Sequence, residues 1–289
     1  MHRPSLLFTA RHRSFVVGAI FAFAAVSYAR AQSPTANFAA LTSDSTRIVG
    51  GVDVADGNYP FVVSLYGRDG EFWCGASLVA PTLVVTAAHC LAAIDEGGSA
   101  VVARTDLGDL TRGSVHSFTR IFKHPKYGKP ERYANDLAFI ELATPVLGVE
   151  PIDITPKQPL NALKGLPVTV AGWGALRESG HSPTRMQEVE VDVLTSAQCR
   201  EAYGSKYDPA SMFCAARQAK DSCQGDSGGP IFIKPLDGAS PIQVGVVSWG
   251  YGCARPESPG VYTRLDSKKV WKGLGNSPDA QRIRSLLGL

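Results

Sequence analysis

From Ile48 onward the apolar residues of this chain fall into short runs separated by Gly, Pro and Asp. The runs Phe61–Tyr66, Thr82–Thr86, Asp136–Leu142, Pro167–Ala171, Glu188–Leu194, Ile242–Ser248 and Gly260–Arg264 are rich in β-branched residues, and in Glu188–Leu194 valines alternate with acids. A period of two places alternate side chains on opposite faces of a strand, and these runs read as β-strands. Their number and spacing predict sandwiches or barrels. The end of the chain departs from the pattern. Asn276-Ser277-Pro278-Asp279 is a helix-start signal, and Ile283, Leu286 and Leu287 follow at helical spacing. Residues 272–289 are therefore either a helix restarting near Ser277 or a peripheral tail. Thr155–Leu160, with prolines at 156 and 159, divides the β region into two similar lengths, and no internal sequence repeat is visible.

Composition sharpens this picture. With 44% hydrophobic residues in 289, the chain has the material for a packed core and is not a disordered chain. Its 29 Gly and 19 Pro, spread along the sequence, favour a turn-rich all-β protein over a helical bundle. The formal net charge is +3 with no run of like charges, so nucleic acid is not an expected partner.

The N-terminus reads as an export signal. Arg3, Arg11 and Arg13 precede the apolar stretch Ser14–Val26, and Ala29-Arg30-Ala31 supplies small residues for cleavage. We expect residues 1–31 to be a signal peptide. No later apolar run is long enough to span a bilayer, which predicts a secreted, extracellular product without a membrane anchor. Residues 32–47, rich in Ser, Thr, Ala and Pro, form a polar leader ending at Arg47. Residues 1–47 hold five Arg and one Asp, so the remaining chain has 24 basic and 25 acidic residues and a formal charge of −1. The basic excess thus belongs to the leader. Six cysteines, at 74, 90, 199, 214, 223 and 253, suit an oxidising compartment and predict three disulfides among fifteen connectivities. Without a C-x-x-C pair, zinc is a weak competitor, although His89-Cys90 suggests it locally.

Three segments carry candidate chemistry: Val85-Thr-Ala-Ala-His89-Cys90, Asn135-Asp136-Leu-Ala138, and Asp221-Ser-Cys-Gln-Gly-Asp226-Ser227-Gly-Gly-Pro230. A serine hydroxyl is a poor nucleophile at neutral pH. It needs an imidazole to take its proton, and the imidazole needs an acid to fix its tautomer and stabilise its cation. Ser227, His89 and Asp136 supply those three groups. The glycines flanking Ser227 permit a tight turn whose N–H groups can face a developing oxyanion.

On these residues, together with Ile48-Val-Gly-Gly51, Gly172-Trp-Gly174, Ser248-Trp-Gly250 and Gly260-Val-Tyr-Thr263, the sequence resembles the trypsin-like serine proteases from Ile48 to Trp271. The resemblance implies two six-stranded antiparallel β-barrels with the active site between them and a short C-terminal helix. It implies the order His89, Asp136, Ser227 for the catalytic triad, and an oxyanion hole from the N–H groups of Gly225 and Ser227. It pairs Cys74 with Cys90, Cys199 with Cys214, and Cys223 with Cys253. It also makes residues 32–47 an activation propeptide: a cut after Arg47 frees an ammonium on Ile48 that pairs with Asp226. Asp221 becomes the floor of a substrate pocket for Arg or Lys, with Ser222 beside it, Gly250 and Gly260 as walls, and Trp249 lining the cleft.

The resemblance further implies protein or peptide substrates, an activating trypsin-like protease or self-activation, protein inhibitors, and a monomer. No cofactor is expected. Gly108–His124 is short and poor in carboxylates beyond Asp109, so no metal site is expected where relatives bind calcium. His116, His124 and His181 read as surface or loop residues, and Trp73, Trp173 and Trp271 as packing. Two rivals bear on function. A non-catalytic homologue acting as a secreted binding protein would usually lack a triad residue, and a serine esterase would need a Gly-x-Ser-x-Gly elbow and the order Ser, Asp, His. All three triad residues are present, and they follow the protease order His, Asp, Ser rather than Ser, Asp, His.

Overall fold

The computed structural model describes residues 51–154, 167–218, 221–235, 238–253, 255 and 257–289. Residues 1–50, which contain the expected signal, the leader, Arg47 and Ile48, lie outside the described residues, as does Thr155–Leu160.

Thirteen strands are described, and twelve of them close into two barrels. The first comprises β2 (Val62–Tyr66), β3 (Phe72–Ala80), β4 (Leu83–Thr86), β5 (Ser99–Val102), β6 (Ser114–Lys123) and β7 (Ala138–Leu142), joined in the order β2-β3-β4-β7-β6-β5. The second comprises β8 (Pro167–Gly172), β9 (Gln187–Val193), β10 (Met212–Ala216), β11 (Pro230–Ile233), β12 (Ile242–Trp249) and β13 (Gly260–Arg264). Its order is β9-β10-β13-β12-β11-β8, and pairing of β8 with β9 closes it, while the two-residue β1 (Val52–Asp53) adds to β9. All these ladders are antiparallel. Closure leaves no free barrel edge to template pairing with another chain.

Burial follows the sequence pattern. In β9, Val189, Val191 and Val193 are buried while Glu190 is exposed. They join Val168, Val170, Phe213, Ile231 and Tyr262 in the second barrel's core. Across the barrels, Phe61 meets Phe232 edge-on at 5.5 Å between ring centroids, and Tyr59 meets Phe232 at 5.0 Å. Truncating a buried phenylalanine typically costs about 3–5 kcal/mol, so this contact is a substantial part of what holds the barrels together.

Three helices complete the described fold. Helix α1 (Ser196–Tyr203) starts at a reciprocal capping box between Thr195 and Gln198. Helices α2 (Lys268–Gly273) and α3 (Pro278–Leu287) show that the C-terminal helix breaks and restarts. Ser267 caps α2, Ser277 caps α3 ahead of Pro278, and Gly288 ends it at φ 70°. Ala280 and Ile283 of α3 are buried against the first barrel's core. No described helix is long and apolar enough to cross a membrane.

The disulfides are Cys74–Cys90, Cys199–Cys214 and Cys223–Cys253. Two expectations need correction. His116 is a buried strand residue, held between Thr144 Oγ1 and Ser114 Oγ at 2.9 and 2.8 Å, and His124, though in a loop, is buried as well. Trp173 and Trp271 are buried, but Trp73 is 49% exposed and does not serve as core packing.

Candidate active site

Strands β4 and β7 are antiparallel neighbours, with Thr86 opposite Ala138. The chain leaving β4 and the chain entering β7 must therefore lie together, which brings His89 and Asp136 into contact. His89 sits in a 3₁₀ turn, Ala88–Ala92, anchored to β3 through the Cys74–Cys90 bridge. Asp136 is fully buried. Its Oδ1 accepts the backbone N–H of His89 at 2.9 Å. Its Oδ2 lies 2.7 Å from His89 Nδ1 and accepts the Ser248 hydroxyl at 2.5 Å. A carboxylate can only accept, so this contact places the ring proton on Nδ1 and leaves Nε2 free to accept another. Thr263 Oγ1 donates to the Asp136 carbonyl at 2.7 Å, tying this aspartate to the second barrel.

Ser227 lies in the tight turn that precedes β11. Gly225 and Gly228 have φ of +101° and +80°. A side chain at Gly228 would collide with Thr86 Oγ1 and the Gly75 carbonyl, so only glycine lets this turn approach the first barrel. The approach is fixed by Gly75 N–H donating to the Ser227 carbonyl at 2.8 Å, while Gly228 N–H donates to Val247 O at 2.9 Å within the second barrel. The N–H groups of Gly225 and Ser227 make no backbone hydrogen bond among the described residues. Ser227 and His89 line one cavity of about 210 Å³, together with Tyr133, Asp221 and Trp249.

Asp226 points away from this cavity into the protein and is fully buried. It accepts the N–H groups of Gly174 at 2.8 Å and Cys223 at 2.9 Å, and has no ion pair among the described residues. Burial pushes its carboxyl up to about 6, against the pull of those two N–H donors. A β-carbon at Gly174 would overlap the carboxylate, so the glycine of Gly172-Trp-Gly174 is there to make room.

Asp221, which also lines the cavity, is 2% exposed. A β-carbon at Gly260 would sit 2.7 Å from Asp221 Oδ1, whereas one at Gly250 would be 4.0 Å from Gly260 Cα. The two glycines and the buried carboxylate thus line the same cavity. Ser222 Oγ is 3.1 Å from Tyr262 Oη. The Tyr262 phenol is held well above its ordinary range, first by burial and then by the charge of Asp221. Trp249 stacks on Tyr133 at 6.0 Å, and Tyr133 meets the His89 ring edge-on at 5.9 Å, forming an aromatic wall beside the imidazole.

Of the predicted site residues, His89, Asp221, Ser222, Ser227, Trp249, Gly250 and Gly260 line this one cavity, Asp136 and Asp226 are buried next to His89 and Ser227, and Cys199 and Cys214 lie in a separate cluster. Three contacts are not visible in the sequence: Ser248 on Asp136, Thr263 on its carbonyl, and Tyr133 beside His89. Ser248 and Thr263 belong to the motifs Ser248-Trp-Gly250 and Gly260-Val-Tyr-Thr263, so their importance is marked there but their partners are not. Cys74, His89 and Cys90 lie close enough together to suggest a metal site, but both sulfurs are bonded to each other.

Comparison with known proteins agrees with this geometry. A sequence model of the family described as Trypsin matches residues 48–272. The chain is 36% identical to the trypsin of Saccharopolyspora erythraea over 75% of this chain and 93% of that one, and 36% identical to trypsin alpha-4 of Lucilia cuprina over 78% and 86%. It is 39% identical to human serine protease 56 over 78% of this chain, but spans only 38% of that longer protein. The chain belongs to the trypsin family of serine proteases.

Proposed function

We propose that this protein is an endopeptidase that cleaves after Arg or Lys through Ser227, His89 and Asp136. The observation that carries this reading is the doubly held carboxylate of Asp136. It fixes the His89 tautomer at a cavity that is also lined by Ser227 and Asp221. In the proposed reaction His89 Nε2 takes the Ser227 proton as Oγ attacks the substrate carbonyl, and Asp136 stabilises the resulting imidazolium. The N–H groups of Gly225 and Ser227 face the oxyanion. His89 then protonates the leaving amine, and water resolves the acyl-enzyme by the reverse sequence. A guanidinium or ammonium fits the cavity because Asp221 offers its opposite charge in a site shielded from water.

We further propose a secreted precursor, in which cleavage after Arg47 frees an ammonium on Ile48 as the missing partner of Asp226. The supporting observation is a fully buried carboxylate held only by backbone N–H groups among the described residues. An unpaired buried charge is costly, so an arriving cation gains strongly by pairing with it.

The test is to cut the chain after Arg47 and compare arginyl, lysyl and phenylalanyl amides, with Ser227→Ala and Asp221→Ser as controls. Arginyl or lysyl hydrolysis that disappears in Ser227→Ala, and is selectively lost in Asp221→Ser, is the expected result. Full hydrolysis by Ser227→Ala would sink the mechanism, and unchanged preference in Asp221→Ser would sink the pocket assignment.

A further inference from the structure

On part of the described surface, cations are matched by acids. Arg68 pairs with Asp95, Arg185 with Asp56, Arg217 with Glu190 and Asp192, Lys234 with Glu188, and Arg282 with Glu141. Two segments instead carry several lysines without such partners. Lys123, Lys126 and Lys129, in the segment running out of β6, are exposed, and so are Lys268, Lys269 and Lys272 of α2. None of the six forms an ion pair among the described residues.

The two segments are far apart in sequence but are bolted together by a buried histidine. Lys126 N–H donates to His124 Nδ1 at 3.1 Å, which leaves the proton on Nε2, 2.9 Å from the Val270 carbonyl. Burial holds the His124 imidazole below its ordinary value, consistent with this neutral tautomer. Gly273 packs on the same ring, and a β-carbon there would be 3.6 Å from Lys126 Cδ. Glu131 is the acid nearest in sequence to the first segment, and Asp266, beside α2, is engaged by both Nε and Nη2 of Arg264. The fold therefore brings two lysine-bearing segments together on a chain whose charge beyond Arg47 is −1.

The chemistry of the face narrows its partner. Six lysines are flexible point charges, suited to anionic groups spread along a polymer rather than to one planar carboxylate read by a bidentate arginine. No large exposed hydrophobic residue lies in either segment, so nothing here inserts into a lipid interface. Tyr127, the aromatic ring nearest the lysines in sequence, lies under Lys123 Nζ at 4.7 Å and is not offered for base stacking. None of the lysines lines the cavity holding His89 and Ser227. We propose that this lysine face docks an extended anionic polysaccharide bearing sulfate or carboxylate groups, holding the protein on such a polymer while the cleft stays open.

The experiment measures binding of heparin, as a sulfated polysaccharide probe, to the purified protein across a salt series. The variant is Lys126→Gln/Lys269→Gln/Lys272→Gln, with Lys234→Gln as a control at a paired lysine. Counterion release predicts that the triple variant's plot of log K against log salt is shallower by about 2–3, with Lys234→Gln unchanged. Unchanged hydrolysis of a small amide substrate by the triple variant would establish that the fold is intact. Equal heparin affinity and slope for wild type and triple variant would overturn the proposal. So would retention on heparin no stronger than on a sulfopropyl resin, or tighter binding at the same salt to phosphatidylglycerol vesicles or duplex DNA.

Discussion

Asp136 and Asp226 are both fully buried carboxylates, one brought by each barrel, and their charges are accommodated differently. Asp136 is complete as folded: a backbone N–H, an imidazole nitrogen and a hydroxyl converge on its two oxygens. Asp226 has two backbone N–H groups and no cation among the described residues, and burial drives its carboxyl upward. The contrast separates two physical tasks. The first acid holds a base in one tautomer, which requires permanent contacts. The second is held at a cost that an added positive charge would relieve, which suits a group whose partner arrives by a covalent event.

The sharpest way to break the first half of this comparison is Asp136→Asn. An amide must place its NH₂ either against the His89 backbone N–H or against Nδ1 and the Ser248 hydroxyl. The second choice drives the ring proton to Nε2, where it can no longer accept one from Ser227. We expect kcat to fall on the order of 10⁴-fold with little change in KM, the size typical of a wrong-tautomer triad. Steady-state kinetics on an arginyl amide would check this, and a loss below tenfold would remove Asp136 from the proposed relay.

The second half is tested through pH in the uncut chain, made resistant by Arg47→Gln. The Asp226 carboxyl, at about 6, is raised above its ordinary value of 3.8, so the folded state holds the proton more tightly than the unfolded state does. Its favourable contribution is complete below about pH 4 and is lost as pH rises through 6, a change of about 3 kcal/mol. Asp226→Asn should abolish this loss, so denaturant curves of the two uncut proteins should diverge between pH 4 and 7, with the Asn variant the more stable at pH 7. After cleavage the order should reverse, because only the aspartate can pair with the Ile48 ammonium. Parallel stability curves in the uncut chains would show that the carboxylate is not a strained group.

Much of this comparison is legible in the order of the residues alone. The alternating valines of Glu188–Leu194 mark a strand, the Ser277-Pro278 signal marks a helix start, and the residues near His89, Asp136 and Ser227 mark the chemistry. What stays hidden depends on contacts between distant segments. β6, Ser114–Lys123, has a largely exposed and polar surface, so its residues lack a continuous apolar signal. His116 and His124 resemble surface residues in sequence because their partners, Thr144 and Val270, are remote along the chain. The lysine face is hidden for the same reason: neither segment alone is a long charge run, and the fold joins them.

Ser248 offers the finest test of how complete the Asp136 site is. Its hydroxyl donates to the same Oδ2 that faces His89 Nδ1, whereas Thr263 donates only to the Asp136 main-chain carbonyl. Ser248→Ala removes a hydrogen bond to a buried charge and should cost about 1–3 kcal/mol of stability. It also releases the carboxylate to rotate, so kcat should drop roughly tenfold, about 1.4 kcal/mol at the transition state. Thr263→Val removes a comparable buried bond without touching the carboxylate, and should lower the melting temperature while leaving kcat within about twofold. Measuring Tm and kcat for both variants separates support of the fold from support of the relay. If the two variants lose kcat equally, Ser248 contributes only to packing, and the completeness of Asp136 rests on His89 alone.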